Sequence, residues 1–224
     1  MLKLPPSFSL SALALFCVAA SFTSGAPAAE ALRSPSTAKV AADISTADAR
    51  TAAHWIAEHA DNQRLPFVIV DKKNAQAFVF DGNRRLKGST KVLLGLAVGD
   101  KGLVDMQGRA VASLKPFERT TPAGRFEAEP GRNLQGEKII WFDYDAQLAI
   151  HRLRPDSTQE RRAQRLQTPT AADNRISMGC VVVPVAFYEQ VIEPVLGNGR
   201  SVVYVLPETQ PLHSTLNAWQ TSNF

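Results

Sequence analysis

The sequence predicts a mainly β domain over residues 65–208, with few helices and an N-terminal helical extension. Three observations carry that prediction: many short runs rich in β-branched and aromatic residues, turn signals between them, and a single strong helical stretch in the second half. Phe67 to Val70 and Ala75 to Phe80 flank Asp71-Lys72-Lys73-Asn74 and are followed by Asp81-Gly82-Asn83, which reads as a hairpin. Lys91 to Val98, Lys138 to Tyr144, Gln147 to Arg152 and Ser201 to Leu206 are the further strands expected. Val185 to Leu196 is the helix, beginning near Pro184. So many strands need protected edges, so a sandwich or barrel is the expected closure.

Residues 1–28 read as a secretory signal peptide. Lys3 supplies the positive start, Leu10 to Phe22 the apolar core, and Ala26-Pro27-Ala28 a small-x-small cleavage pattern. Phe16, directly before Cys17, does not fit a lipidation site. Residues 29–64 form a flexible Ala/Ser/Pro leader followed by a helix. There Ser45 and Asp48 suggest a capping box, and Ala52, Trp55, Ile56 and His59 share one stripe ahead of Pro66. Residues 209–224 read as a polar tail.

Composition narrows the function classes. The 224 residues carry 25 Lys+Arg against 21 Asp+Glu, with 45% hydrophobic residues and two cysteines. Two cysteines build no disulfide framework, and no apolar run reaches the roughly 20 residues of a membrane-spanning helix. The charges are mixed along the chain rather than gathered with aromatics, so no nucleic-acid partner is expected. Loss of the signal peptide removes Cys17 and leaves Cys180 as the lone cysteine. An unpaired thiol in an oxidising compartment implies either burial or chemistry.

Its surroundings favour chemistry. In Ser177-Met178-Gly179-Cys180 a glycine precedes the thiol, permitting a backbone in which successive N–H groups converge on an oxyanion. Such donors contribute about a hundredfold each in rate. A thiol of ordinary pKa, about 8.5, needs a base. His54 and His59 lie roughly 140° apart around a helix and make no metal pair; His213 lies in the tail. His151 ends the alternating stretch from Ala146 to Ile150 at a strand tip and is the best base candidate. Arg125 is open to either a structural or a substrate role. Trp141, Phe142 and Tyr144 read as core and sheet surface.

Four features in order resemble the L,D-transpeptidases, which remodel bacterial peptidoglycan. They are the strand Phe67-Val68-Ile69-Val70-Asp71, the turn Thr121-Pro122-Ala123-Gly124-Arg125-Phe126, the histidine in Ala149-Ile150-His151, and Ile176-Ser177-Met178-Gly179-Cys180. The resemblance implies a β-sandwich-like catalytic domain over 65–208 and acyl transfer from tetrapeptide stems. Cys180 would be the nucleophile, His151 the base and then acid, Gly179 and Cys180 the oxyanion amides, and Ser177 a helper near the histidine. It implies no metal or cofactor, susceptibility to carbapenems, and a periplasmic monomer that acts on peptidoglycan stem peptides. Three positions depart from the pattern: Arg152 replaces a common glycine, Val182 a common arginine, and Met178 a frequent polar residue. The enlarged basic insert 152–175 contains a second apparent capping box, Ser157 with Glu160. It is either a solvated helix or a lid in which Arg154 or Arg175 binds stem carboxylates beside Met178. A carboxypeptidase using water as acceptor, and a wall-binding domain without turnover, are the competing readings.

Overall fold

The computed structural model describes residues 43–102, 109–155 and 159–221. The signal peptide, most of the leader and the Ser157 half of the second capping box lie outside the described residues. The strands are β1 (Phe67–Asp71), β2 (Gln76–Phe80), β3 (Leu86–Lys91), β4 (Leu94–Gly95), β5 (Gly124–Arg132), β6 (Lys138–Asp143), β7 (Leu148–Arg152), β8 (Arg175–Ser177), β9 (Val181–Val183) and β10 (Ser201–Val205). An eight-stranded mixed sheet runs β3-β2-β1-β10-β5-β6-β7-β9, and β4 pairs with β8 beside it. The pairs β1–β10 and β7–β9 are parallel; the other pairs of the large sheet are antiparallel.

The long strand β5 joins the two halves. Its first residues, to Ala128, pair with β10, and Glu129 onward pairs with β6. Val68, Val79 and Val203 from one half meet Ile140, Ile150 and Val181 from the other in one buried core. Helix α1 (Ala47–His59) covers the opposite face of the first half. There Ala52, Trp55 and Ile56 pack with Phe67, Ile69, Phe78 and Tyr204. A strand buried on both faces needs no polar alternation, which is why Phe67 to Val70 and Val202 to Val205 are continuous apolar runs.

Several expectations change. The Ser45–Asp48 capping box does not form: Thr46 is the N-cap, Ser45 Oγ meets Gln76, and Asp48 pairs with Lys73 at 2.8 Å. His59 is exposed, its ring stacked on Trp55. The strand expected over 91–98 is split: β3 ends at Lys91 and β4 is two residues long. Residues 185–196 are helical as expected (α2), with a π turn over Tyr188–Ile192. Pro194 follows that wide turn and has no N–H to give to the carbonyl four residues back. The segment read as a polar tail contains α3 (Leu212–Thr221), which buries Leu216 and Trp219 against the α1 layer. Among the described residues no helix is long and apolar enough to cross a membrane.

Lys72, in the connection of the expected hairpin, is fully buried. Its ammonium donates to Asp100 at 2.9 Å, to the Gly99 carbonyl and to the Thr121 carbonyl at 3.0 Å, and lies 3.4 Å from Glu208. Arg175 pairs with Glu208 and also donates to the Lys72 carbonyl. Burial alone would raise the Asp100 pKa, but hydrogen bonds from Lys72, Thr209 and the Glu208 and Thr209 amides hold it well below the usual carboxylate range. The four charges therefore fix the β1–β2 turn, the 99–100 loop, β8 and the 208–210 segment to one another. Removing one partner of such a cluster strands a buried charge. Lys72→Met is expected to cost about 3–5 kcal/mol, seen in thermal unfolding as a Tm drop on the order of 10 °C.

Candidate active site

Strand register brings the predicted pair to one face. In the parallel β7–β9 ladder, Ile150 lies opposite Val181 and His151 opposite Val182. Ile150 and Val181 enter the core, so His151, Val182 and the residue just before β9, Cys180, occupy the opposite face. The ladder is held on its far side by a reciprocal bridge, Leu93 N–H to Val182 carbonyl at 2.8 Å and Val182 N–H to Leu93 carbonyl at 2.9 Å.

His151 is 7% exposed, and its Nδ1 lies 2.8 Å from the Arg152 carbonyl. A carbonyl only accepts, so Nδ1 carries the hydrogen and Nε2 keeps the basic lone pair. Burial pushes the imidazole pKa down to about 4, against the Arg152 carbonyl bond and with Arg154 adding to the depression. Burial also pushes the Cys180 thiol up, opposed by the Ala149 N–H and by Arg154. The thiol donates to the Gln147 carbonyl at 3.7 Å rather than to the imidazole. At neutral pH the resting pair is thus thiol and neutral imidazole.

The turn carrying the thiol is tightly specified. Gly179 has φ of +130°, and a Cβ there would lie 2.8 Å from a Leu148 methyl and 2.9 Å from the Thr120 carbonyl oxygen, so glycine alone fits. The Ser177 hydroxyl donates to the Cys180 carbonyl at 2.7 Å and accepts the Gly179 N–H at 3.1 Å. Two expected roles are affected: Ser177 braces the turn, and the Gly179 amide, one of the two expected oxyanion donors, is given to the Ser177 hydroxyl. Met178 is half-buried on the same turn.

Sequence reasoning took Thr121 as part of a motif without giving it a task. Its buried hydroxyl donates to the Gly179 carbonyl at 2.8 Å and accepts the Gly95 N–H at 2.9 Å. The signal was present, since a threonine before Pro122 in a glycine-bearing turn offers a fixed hydroxyl. Arg125, left open from sequence, is structural: it donates to the Asp61 carboxylate at 2.7 Å, where the Tyr204 hydroxyl also donates.

The basic residues are placed differently from expectation. Arg175 is committed to Glu208, so it is a buried structural charge and not a substrate contact. Arg154 is exposed and pairs with Glu137 at 2.6 Å. Val182, at the position where arginine was expected, is fully buried with Leu93 and Leu166. A charge there would have no water and no partner. Leu166 belongs to the insert, in which residues Arg162–Arg165 form one helical turn with no buried residue, so the insert is anchored through Leu166 on the face of β9 that carries Val182. Among the described residues, no three His, Cys, Asp or Glu side chains converge as a metal cluster.

Fold and site together define a mixed β domain that presents a lone thiol and a neutral imidazole on one face of adjacent strands. No family model matches the sequence, and no curated protein matches it. Solved structures do. The helical cell shape determining protein Pgp2 from Campylobacter jejuni is similar at 16% identity over 70% of this chain and 55% of that chain, with TM-score 0.41. An L,D-transpeptidase from Xylanimonas cellulosilytica is similar at 14% identity over 63% and 60%, with TM-score 0.40. The catalytic domain of an E. faecium L,D-transpeptidase is similar at 16% identity over 63% and 96%, with TM-score 0.35. This chain spans just over half the length of the Campylobacter jejuni protein.

Two outcomes follow from the geometry. Because the thiol is held above its ordinary pKa of 9.0, alkylation of Cys180 by iodoacetamide should rise about tenfold per pH unit from pH 7 to beyond 9, without a plateau near neutrality. Intact mass over a pH series reads this directly. Thr121→Val keeps the shape but orphans the Gly95 N–H and the Gly179 carbonyl. It should lower stability by about 1–3 kcal/mol in urea unfolding and slow any acylation of Cys180.

Proposed function

We propose that this chain is an exported cysteine acyltransferase of the L,D-transpeptidase kind, acting on peptidoglycan tetrapeptide stems. The observation that carries the reading is the placement of Cys180 and His151 on one face of the β7–β9 pair, with the His151 tautomer set so that Nε2 is the base. The ordered motifs of the sequence and the signal-like first 28 residues support it from the chain itself.

The chemistry is a two-step acyl transfer. Cys180 Sγ attacks the carbonyl of the L-centre of meso-diaminopimelate as His151 Nε2 takes the thiol proton. The oxyanion of the tetrahedral intermediate is met by the Cys180 amide. Collapse breaks the C–N bond, His151 returns the proton to the departing amine, and D-Ala leaves a thioester on Cys180. An amine of a second stem then attacks the thioester, with His151 accepting its proton and passing it to sulfur. If water attacks instead, the product is a tripeptide.

Carboxypeptidase action is therefore the same first step with another acceptor. The binding-only reading draws on one observation, the hydrogen bond from the resting thiol to Gln147 instead of to His151.

Incubation of the mature protein with a carbapenem, followed by intact mass measurement, decides between turnover chemistry and binding alone. The expected result is a single adduct that Cys180→Ala abolishes and that His151→Asn slows by about 100-fold or more. No adduct on the folded wild-type protein would remove the acyltransferase reading. Tetrapeptide muropeptides then separate the acceptors: cross-linked dimers indicate a second stem, tripeptides indicate water.

A further inference from the structure

A second feature stands around the end of the sheet from the thiol. The β5–β6 turn, the end of β7 and Glu193 of α2 enclose a groove of about 520 Å³. That volume is in the range of a small-molecule or peptide-arm site. Its walls carry four cations, Arg132, Lys138, Arg152 and Arg154, against two carboxylates, Glu137 and Glu193.

We propose that this groove is a carboxylate-binding subsite for the peptide substrate, with Arg132 as its anchoring guanidinium; the proposal rests on the acyl-transfer reading above for the identity of that peptide. The pairing pattern singles out Arg132. Lys138 is paired with Glu193, Arg154 with Glu137, and Arg152 with Glu189 at 2.8 Å. Arg132 donates to the Gly136 carbonyl, a neutral acceptor, and among the described residues no carboxylate lies within ion-pair distance of it. Its charge acts on Glu193 from beyond ion-pair distance, and its side chain is exposed. A guanidinium in that state presents the forked donors that hold a carboxylate through two parallel hydrogen bonds.

A second observation comes from beneath the groove. Glu137 Oε1 and Arg152 Nε are buried without hydrogen-bond partners and stand 3.6 Å apart, too far to bond each other. Glu137 is held instead by Arg154 and Asn133 through its other oxygen. A carboxylate entering the groove competes with Glu137 for Arg154, and Glu137 so released closes on Arg152 Nε. The ligand thereby brings to hydrogen-bond distance two buried polar atoms that otherwise meet only as an ion pair at 3.6 Å.

The groove is also coupled to the catalytic pair. The groups acting on His151 are Arg154 and Arg162, which disfavour its protonation, and Glu137 and the Arg152 carbonyl, which favour it; Arg154 also acts on Cys180. An anion that screens Arg154 makes the imidazole a stronger base when substrate is present.

The test uses the Cys180→Ala protein, so that binding is read without turnover. The probe is the tripeptide L-Ala-γ-D-Glu-meso-diaminopimelate, compared with the same peptide bearing amidated carboxyls, by calorimetry at 50 and 300 mM NaCl. The acidic peptide is expected to bind at least tenfold more tightly than the amidated one and to weaken at high salt. Adding Arg132→Glu should weaken the acidic peptide by tenfold or more, and Arg132→Lys should restore part of the loss. Arg132 is exposed, and an unchanged Tm checks that the variant is folded. Acidic-peptide binding that stays within twofold on Arg132→Glu overturns the proposal. If wild-type protein turns over tetrapeptide with a KM that Arg132→Glu leaves unchanged, the groove is removed and acyl transfer stands. If the tripeptide binds through Arg132 while Cys180 is never acylated, the groove stands and acyl transfer falls.

Discussion

A buried ammonium organises this molecule. Lys72 has no access to water, and an isolated charge in that position would cost several kcal/mol even after relaxation of its surroundings. It is stable there because Asp100, Glu208 and two carbonyls converge on it, while Arg175 balances the second carboxylate. Those partners come from four separate stretches of chain, so the electrostatic requirement becomes a geometric one. One carbonyl on Lys72 belongs to Thr121, whose hydroxyl holds the Gly179 carbonyl. The position of the nucleophile turn is thus tied through two hydrogen-bonded links to a charge cluster that cannot shift without leaving ions unpaired. A hydrophobic cluster of equal stability would tolerate sliding by fractions of an ångström; paired buried charges tolerate less, because their energy depends on direction as well as contact.

The second constraint is alternation. Successive residues of a strand face opposite sides, so once Val181 and Val183 are drawn into the core, Cys180 and Val182 must face outward. The same rule sends Ile150 inward and His151 outward. The outward face of β9 is then divided. Toward its end, Leu93 and Leu166 seal Val182; at its start, the chain leaves the ladder at Gly179 and Cys180 and the cover stops. The arginine that the related motif carries at position 182 has no place under that apolar cap. The cations that follow His151 in the chain, Arg152 and Arg154, are held by Glu189 and Glu137.

Much of this was legible from the chain. The strands around 67–70, 75–80, 138–144, 147–152 and 201–206 were readable because their apolar residues are uninterrupted or alternate cleanly. The placement of His151 at the end of a strand, with Cys180 entering another, was readable from motif order. What escaped has physical causes. Strand β5 carries Glu127, Glu129, Pro130 and Gly131, residues that argue against a strand; it forms because both of its ends find a partner, with the exposed charges directed to solvent. The final helix has three apolar anchors, Leu212, Leu216 and Trp219, spread through polar residues, so its stripe is visible only against the α1 layer that covers it. Lys72 and Lys73 are adjacent and chemically identical, yet one is buried and the other pairs with Asp48 at the surface. Nothing local distinguishes them; the difference is made by Asp100 and Glu208, far away in sequence. Arg175 was misread for the same reason.

The protonation state of the pair keeps the resting thiol quiet. With burial lowering the imidazole pKa to about 4 and raising that of the thiol, moving the proton from sulfur to imidazole in the resting protein is uphill. A pre-formed thiolate would react readily with oxidants, and among the described residues Cys180 has no second thiol to restore it. Keeping the sulfur protonated and hydrogen-bonded to Gln147 avoids that loss. In the proposed acyl transfer the uphill cost is met when substrate is bound: the oxyanion would gain the Cys180 amide, water would leave the face, and screening of Arg154 would make His151 more basic. A site built this way is nearly inert when empty and becomes nucleophilic only in the presence of the group it is to attack.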